Sequence, residues 1–318
     1  MKNMNENLRD KRVIFMGTPQ IAADVLQALL DVNANVVLAV TQPDRITGRK
    51  RVLTPTPVKL LAQEHGIPVF QPVKIRTDYD PVLEARPDLI VTCAYGQLVP
   101  DAVLDAALCV NLHGSILPRY RGGAPIQRAL WNRDDETGMT LMKMASRMDA
   151  GDIIKISRIP ITEEDDSGTL FEKLGQTAGH LIQDQLETLL KGEARFTPQN
   201  EAEATYAPVI TGDEEKLDLT QDDETLLGQI RALAPHPGGY VIAAGKKLKL
   251  LKARLEPGAQ SELHTFVKLG KSGLGLQLKN HVLVLEQVQF QGKPVMDIKS
   301  FMNGQGRSLP GTIAAQAA

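Results

Sequence analysis

The stretch Leu108-Cys109-Val110-Asn111-Leu112-His113-Gly114-Ser115 places an amide and an imidazole two residues apart at the end of an apolar run. In a β-strand alternate side chains share a face, so Asn111 and His113 point one way while Val110 and Leu112 point into the opposite layer. Both polar groups can donate hydrogen bonds to an oxygen that gains charge during attack on a carbonyl carbon. A carboxylate would complete the set by orienting the imidazole and accepting a proton, and Met148-Asp149-Ala150-Gly151-Asp152 offers one in Asp149. Spacing along the chain does not by itself bring Asp149 to His113, and a carboxylate in such a turn often only bonds its own backbone. A lone histidine near a core edge is also commonly just a satisfied core group. The asparagine two residues earlier and the Gly-rich loop that follows favour function here. There is no Gly-x-Ser-x-Gly elbow, and the thiol of Cys109 would sit deeper in the strand. Acyl transfer without a covalent enzyme intermediate is therefore expected.

Other chemistries lack their residues. Gly270-Lys271-Ser272 matches the end of a phosphate loop, but Thr265 stands where that motif needs glycine. Gly17-Thr18-Pro19 is not Gly-x-Gly-x-x-Gly, and Pro19 fixes φ at the helix entrance, which removes the main support for a nicotinamide cofactor. The 6 histidines show no paired ligand spacing and the 2 cysteines cannot build a thiolate site, so no metal is expected. One further loop could carry chemistry. Thr41–Val52 holds Arg45, Arg49, Lys50 and Arg51 just after a strand, where a polyanion could be met.

The elements that must position these groups alternate short β-branched runs with helical-period stretches, as in a doubly wound α/β domain. Strands are expected at Val13–Met16, Val36–Val40, Val69–Phe70, Leu89–Cys93 and Leu108–His113. Helices are expected at Gln20–Val32, Pro57–Gly66, Leu98–Ala106, Pro125–Asn132 and Leu170–Leu190. Ligands in open α/β sheets bind beyond the carboxyl ends of strands, which is where Asn111, His113 and the basic loop fall. The domain is expected to span 1–192, with a polar linker at 193–223. From 224 to 318 the period changes. Alternating runs at Tyr240–Ala243, Leu248–Leu251, Gly273–Leu278 and Val282–Phe290 read as a small antiparallel barrel or sandwich, and Thr312–Ala318 as a disordered tail.

The formal net charge of −2 hides a division along the chain. From Thr225 onward 12 Lys/Arg stand against 4 Asp/Glu, or +8, which leaves the remainder at −10. That asymmetry suggests a polyanion held by one part and chemistry done by another. Aromatic content of 4%, with Trp131 the only tryptophan, argues against a stacking-based single-strand binder. No apolar run approaches the ~18 residues of a membrane span, the first residues are too polar for a secretory signal, and both cysteines lie in apolar runs. A reduced, cytoplasmic setting is the expectation, and nothing in the sequence requires more than a monomer.

At these residues the chain resembles the methionyl-tRNA formyltransferase family. Ser115-Ile116-Leu117-Pro118-Arg119-Tyr120-Arg121-Gly122 is similar to the signature of enzymes that use 10-formyltetrahydrofolate, and Asn-x-His falls on Asn111 and His113. Phe15–Pro19, Thr41–Arg45 with Gly48-Arg49, Ala204–Pro208 and Pro235–Gly238 narrow the match within the wider formyltransferase group. The resemblance implies a Rossmann-like formyltransferase domain followed by a small β-barrel, OB-like C-terminal domain that holds tRNA. It implies Asn111, His113 and Asp149 as catalytic residues, Ser115, Ile116, Leu117 and Pro118 as the folate site, and Arg45, Arg49, Lys50 and Arg51 as tRNA contacts. The cosubstrate would be 10-formyltetrahydrofolate and the partner initiator methionyl-tRNA. Gln20-Ile21, Ile116, His236 and Lys279-Asn280 depart from the usual family residues. The alternatives are a formyltransferase acting on a small amine such as a sugar nucleotide, which needs no basic second domain, and a non-catalytic RNA-binding protein, which needs no Asn111, His113 or Asp149.

Overall fold

The five runs expected as strands all form and lie side by side. The computed structural model describes residues 8–48, 51–258 and 261–315. In chain order the elements begin β1 (Val13–Gly17), α1 (Gln20–Asp31), β2 (Val36–Val40), β3 (Arg45–Thr47), β4 (Val52–Thr54), α2 (Pro57–Glu64), β5 (Val69–Phe70) and α3 (Asp80–Glu84). They continue with β6 (Leu89–Cys93), α4 (Asp101–Leu104), β7 (Leu108–His113), α5 (Pro125–Trp131), β8 (Glu136–Lys143), β9 (Ile153–Pro160) and α6 (Ser167–Leu190). The last are α7 (Asp223–Leu233), β10 (Tyr240–Ala243), β11 (Lys246–Pro257), β12 (Phe266–Leu269), β13 (Gly273–Gln277), β14 (His281–Phe290), β15 (Val295–Asp297) and α8 (Ile298–Met302).

The chain divides into two units. The first contains the chain through Gly122 with Thr137–Ile159 and Phe171–Tyr206, and the second contains Gly123–Glu136, Pro160–Leu170 and everything from Ala207. The segment 193–223 is thus shared, with 193–206 in the first unit and the rest in the second.

The first unit is built on a seven-stranded sheet of order β5-β2-β1-β6-β7-β8-β9. Strands β5 through β7 run parallel, and β8 is antiparallel to β7. Helix α1 forms because Ile21, Val25, Leu26 and Leu29 recur at helical spacing and are all buried. Helix α2 opens on Thr56, whose hydroxyl accepts the Lys59 N–H at 3.2 Å, with Pro57 in its first turn. Two expectations change. Helix is limited to Asp101–Leu104 rather than Leu98–Ala106, since the residue before Pro100 is steered to extended backbone and the helix can start only after it. Strands β8 and β9 extend the sheet where the sequence shows only apolar runs flanking Asp149.

The second unit is an antiparallel sheet of order β10-β11-β14-β13-β12, with β15 on β14, over a core that includes Leu226, Ile230, Leu248, Leu250, Leu276 and Leu283. Helix α7 approaches α5 closely at Gly228, where a Cβ would come within 2.7 Å of the Trp131 carbonyl oxygen. The expected disordered tail is ordered through Ala315. Ala315 exchanges both backbone hydrogen bonds with Ile242 at 2.9 Å, while Ala314 donates to His264 and Thr312 accepts from Phe266. The tail therefore satisfies edge groups of both β10 and β12 that would otherwise be unpaired, and Gln316–Ala318 lie outside the described residues. Among the described residues no helix is long and apolar enough to cross a membrane.

The charge division also takes a different form in space. Over its whole extent the second unit carries 15 Lys/Arg against 18 Asp/Glu, a net −3. The +8 belongs to the part after Thr225, and some of it is neutralised there. Lys252 pairs with Glu164 at 2.9 Å, and Arg254 pairs with Glu286 at 3.1 Å and with Glu256.

Candidate active site

The site lies wholly in the first unit, at the carboxyl end of β7. Asn111 is in register with Thr92 of β6, and His113 with Thr140 of β8. Thr92, 2% exposed, donates its hydroxyl to Asn111 Oδ1 at 2.8 Å. That bond orients the amide, with Oδ1 toward Thr92 and the two hydrogens of Nδ2 directed away from it, and among the described residues Nδ2 has no protein acceptor.

His113 is buried at 6% exposure. Its Nε2 donates to the carbonyl oxygen of Tyr120 at 2.9 Å, and its Nδ1 faces Asp149 Oδ1 at 3.6 Å. The two ring nitrogens thus both face oxygen atoms. The other carboxylate oxygen of Asp149 accepts the Gly122 N–H at 2.9 Å. The fold therefore brings Asp149 to His113, which spacing alone left open. Asp149 does so from a left-handed backbone, φ +50°, in the turn between β8 and β9. At Gly151 in the same turn a Cβ would lie 1.9 Å from the Lys143 carbonyl oxygen, so only glycine fits.

The loop after His113 is locked by its own bonds. Ser115 is fully buried and its hydroxyl donates to Arg119 O at 2.6 Å. Thr140 donates to Ser115 O at 2.6 Å and accepts the Leu117 N–H at 3.2 Å. Leu117 is buried as well, while Ile116 and Pro118 are half-buried. Ser115 and Leu117 shape this loop from within, and Ile116 and Pro118 present its accessible surface.

A second network holds the Asp149 turn. Arg121, 1% exposed, donates from Nε and Nη2 to Gln199 Oε1 and forms two bonds to Glu201, at 2.9 and 3.1 Å. Arg147 also donates to Glu201, at 3.0 Å. The hydrogen bonds from Arg121 and Arg147 hold the Glu201 carboxyl down at about 2. Burial pushes both thiols up to about 12, with Asp24 adding to the effect at Cys93 and Asp105 at Cys109. Neither supplies a nucleophile at neutral pH.

Among the described residues no group of three or more His, Cys, Asp or Glu is arranged to hold a metal ion. The basic loop folds as a hairpin, β3 against β4, with Arg45 opposite Thr54. Arg45 and Arg51 are exposed on it beside Ile46, Val52 and Leu53, whereas Arg49 and Lys50 fall outside the described residues.

A formyl transferase family model matches residues 11–186, and a model of the formyl transferase C-terminal domain matches residues 209–306. The methionyl-tRNA formyltransferase of Latilactobacillus sakei is 43% identical over 93% of this chain and 95% of its own length. That of Listeria monocytogenes is 42% identical over 95% and 98%, and that of Streptococcus pyogenes 43% over 94% and 97%. This chain belongs to the methionyl-tRNA formyltransferase family. Solved structures of low identity share the fold. An N-formyltransferase from Helicobacter canadensis in complex with folinic acid and dTDP-3-aminofucose aligns at TM-score 0.67 and 16% identity, over 86% of this chain and 98% of its own. HypX from Aquifex aeolicus in complex with tetrahydrofolic acid aligns at 0.64 and 14%, over 95% of this chain and 48% of its own.

Sequence reasoning missed Thr92, Thr140 and Gln199. Thr92 left a signal, as the one hydroxyl in the apolar run Leu89–Cys93. Gln199 left none, because it sits in a polar segment whose composition is that of a linker.

Proposed function

We propose that this chain transfers the formyl group of 10-formyltetrahydrofolate to the free α-amino group of methionine esterified to initiator tRNA, giving N-formylmethionyl-tRNA for translation initiation. The observation that carries the proposal is the convergence of Asn111, His113 and Asp149 at one strand end in a chain more than 40% identical to methionyl-tRNA formyltransferases along nearly its whole length. An α-amine with an unperturbed pKa of roughly 8 is partly neutral at physiological pH and needs little activation. As the amine attacks the formyl carbon, the carbonyl oxygen becomes an oxyanion. Asn111 Nδ2 is the donor best placed for it, since Thr92 occupies Oδ1. His113 Nε2 is bonded to Tyr120 O, but a full negative charge is a stronger acceptor than a carbonyl and can draw that proton. Asp149 orients the imidazole beside it and, through a water, takes the proton the amine must lose. The proton is returned to the folate nitrogen as its bond to the formyl carbon breaks.

In the loop at 115–118, half-buried Ile116 and Pro118 offer apolar surface for a folate, whereas Ser115 and Leu117 are enclosed and act by shaping the loop. The division of labour follows the chain, with catalysis in 1–192, a connecting segment at 193–223 and tRNA held by the cationic sheet in 224–318 together with Arg45, Arg49, Lys50 and Arg51. The protein works as a monomer in the cytoplasm. The test is formyl transfer from 10-formyltetrahydrofolate to charged initiator tRNA, free methionine and a dTDP-amino sugar, each across a salt series. Transfer confined to the charged tRNA and weakening with salt supports the proposal. Equal or faster transfer to the amino sugar, independent of salt, would move the chain to the small-amine class.

A further inference from the structure

Gln199 belongs to no helix or strand, yet its side chain is fully engaged. Its Nε2 donates to two backbone carbonyls of the turn that carries the carboxylate, Asp149 O at 2.9 Å and Gly151 O at 2.7 Å. Its Oε1 accepts from Nε and Nη2 of Arg121 at 3.1 and 2.8 Å. Arg121 is in turn fixed by Glu201 and almost entirely enclosed, so Gln199 is anchored on one side by a buried cation and grips the turn on the other. The grip matters because Asp149 holds φ +50°, a left-handed conformation that residues other than glycine adopt only where their surroundings hold them there. From there one carboxylate oxygen reaches the Gly122 N–H and the other faces His113. A relaxed turn would lose both.

We propose that Gln199 is a positioning residue for the formyl-transfer reaction, holding Asp149 in the left-handed conformation that aims its carboxylate at His113. The inference rests on Asp149 being the carboxylate that serves the reaction, and its test separates the two ideas. Gln199→Met keeps the length of the side chain and removes all four hydrogen bonds. Wild type, Gln199→Met, Asp149→Asn and the double variant are compared in the full chain by steady-state and single-turnover formylation of charged initiator tRNA. Gln199→Met is expected to lower kcat by ~10-fold with KM for both substrates within about two-fold, the signature of misplaced chemistry rather than lost binding. Asp149→Asn is expected to lower it by at least ~100-fold, and the double variant to be no slower than Asp149→Asn alone, because Gln199 acts through Asp149. If Asp149→Asn retains the wild-type rate, the reading of the site fails and this inference with it. If Asp149→Asn is slow but Gln199→Met is not, or if the two losses multiply in the double variant, Gln199 does not act through Asp149 and the inference alone is overturned. Should Gln199→Met fail to fold, Gln199→Glu keeps the Arg121 contact while turning an acceptor toward both carbonyls, and a wild-type rate in it overturns the inference equally.

Discussion

Replacing Thr92 by valine isolates the geometry on which the proposed oxyanion donor, Asn111 Nδ2, depends. Valine has nearly the shape of threonine, so β6 should keep its packing in register with β7. What disappears is the hydroxyl that donates to Asn111 Oδ1 at 2.8 Å. A neutral hydrogen bond contributes about 1 kcal/mol net, and the amide loses roughly that much of its preference for presenting Nδ2. At about 1.4 kcal/mol per decade of rate, the cost is roughly 5-fold in the chemical step. Deleting the donor itself, as in Asn111→Ala, should cost ~100- to 1000-fold. Thr92→Ser restores the hydroxyl and should return the rate to within about two-fold of wild type. The assay is rapid-quench single turnover with both substrates saturating, alongside thermal midpoints to confirm folding. Thr92→Val at the wild-type rate, or Thr92→Ser as slow as Thr92→Val, would refute the idea that Thr92 sets the amide.

Three other outcomes are expected. Cys93 and Cys109, buried and pushed up to about 12, should resist iodoacetamide at pH 8 in the native chain, as read by intact mass, with no loss of activity. The Glu201 carboxyl falls from an unfolded value of about 4.3 to about 2, so the stability it contributes is complete above the unfolded value and is lost as pH drops toward 2. Glu201→Gln should therefore flatten acid unfolding between about pH 4 and 2, read by circular dichroism, and leave the shape of the rate profile from pH 6 to 8 unchanged. Ending the chain after Pro310 removes five backbone hydrogen bonds between 311–315 and the edges at Ile242 and His264–Phe266. It should lower the thermal midpoint by at least ~3 °C, and an unchanged midpoint would show that the tail adds nothing to the sheet.

The parallel half of the first sheet was legible because its strands are short apolar runs with helical-period stretches between them. Strands β8 and β9 were harder, since their alternation is broken by Gly138 and by the exposed Lys155 and Arg158. Asn111 and His113 were readable from strand alternation because both sit on one strand. Asp149 was not, as its approach to His113 depends on a left-handed turn that only the β8–β9 pairing sets up. Arg121, Gln199 and Glu201 meet across some 80 residues of sequence, and nothing local marks them. The charge division was misleading in one respect. It is real along the chain, but Glu163–Asp166 and the acids around 213–224 fold into the same unit as the cations, so a basic surface rather than a basic domain is what could meet RNA.

Whether Asn111, His113 and Asp149 act as one device for formyl transfer is read from the single-turnover rate of His113→Ala and Asp149→Asn with charged initiator tRNA and 10-formyltetrahydrofolate, alongside equilibrium binding of each substrate. Each substitution is expected to slow the chemical step by at least ~100-fold while both affinities stay within about three-fold of wild type. A near-normal rate in either variant, or a loss explained wholly by weaker binding, would contradict it.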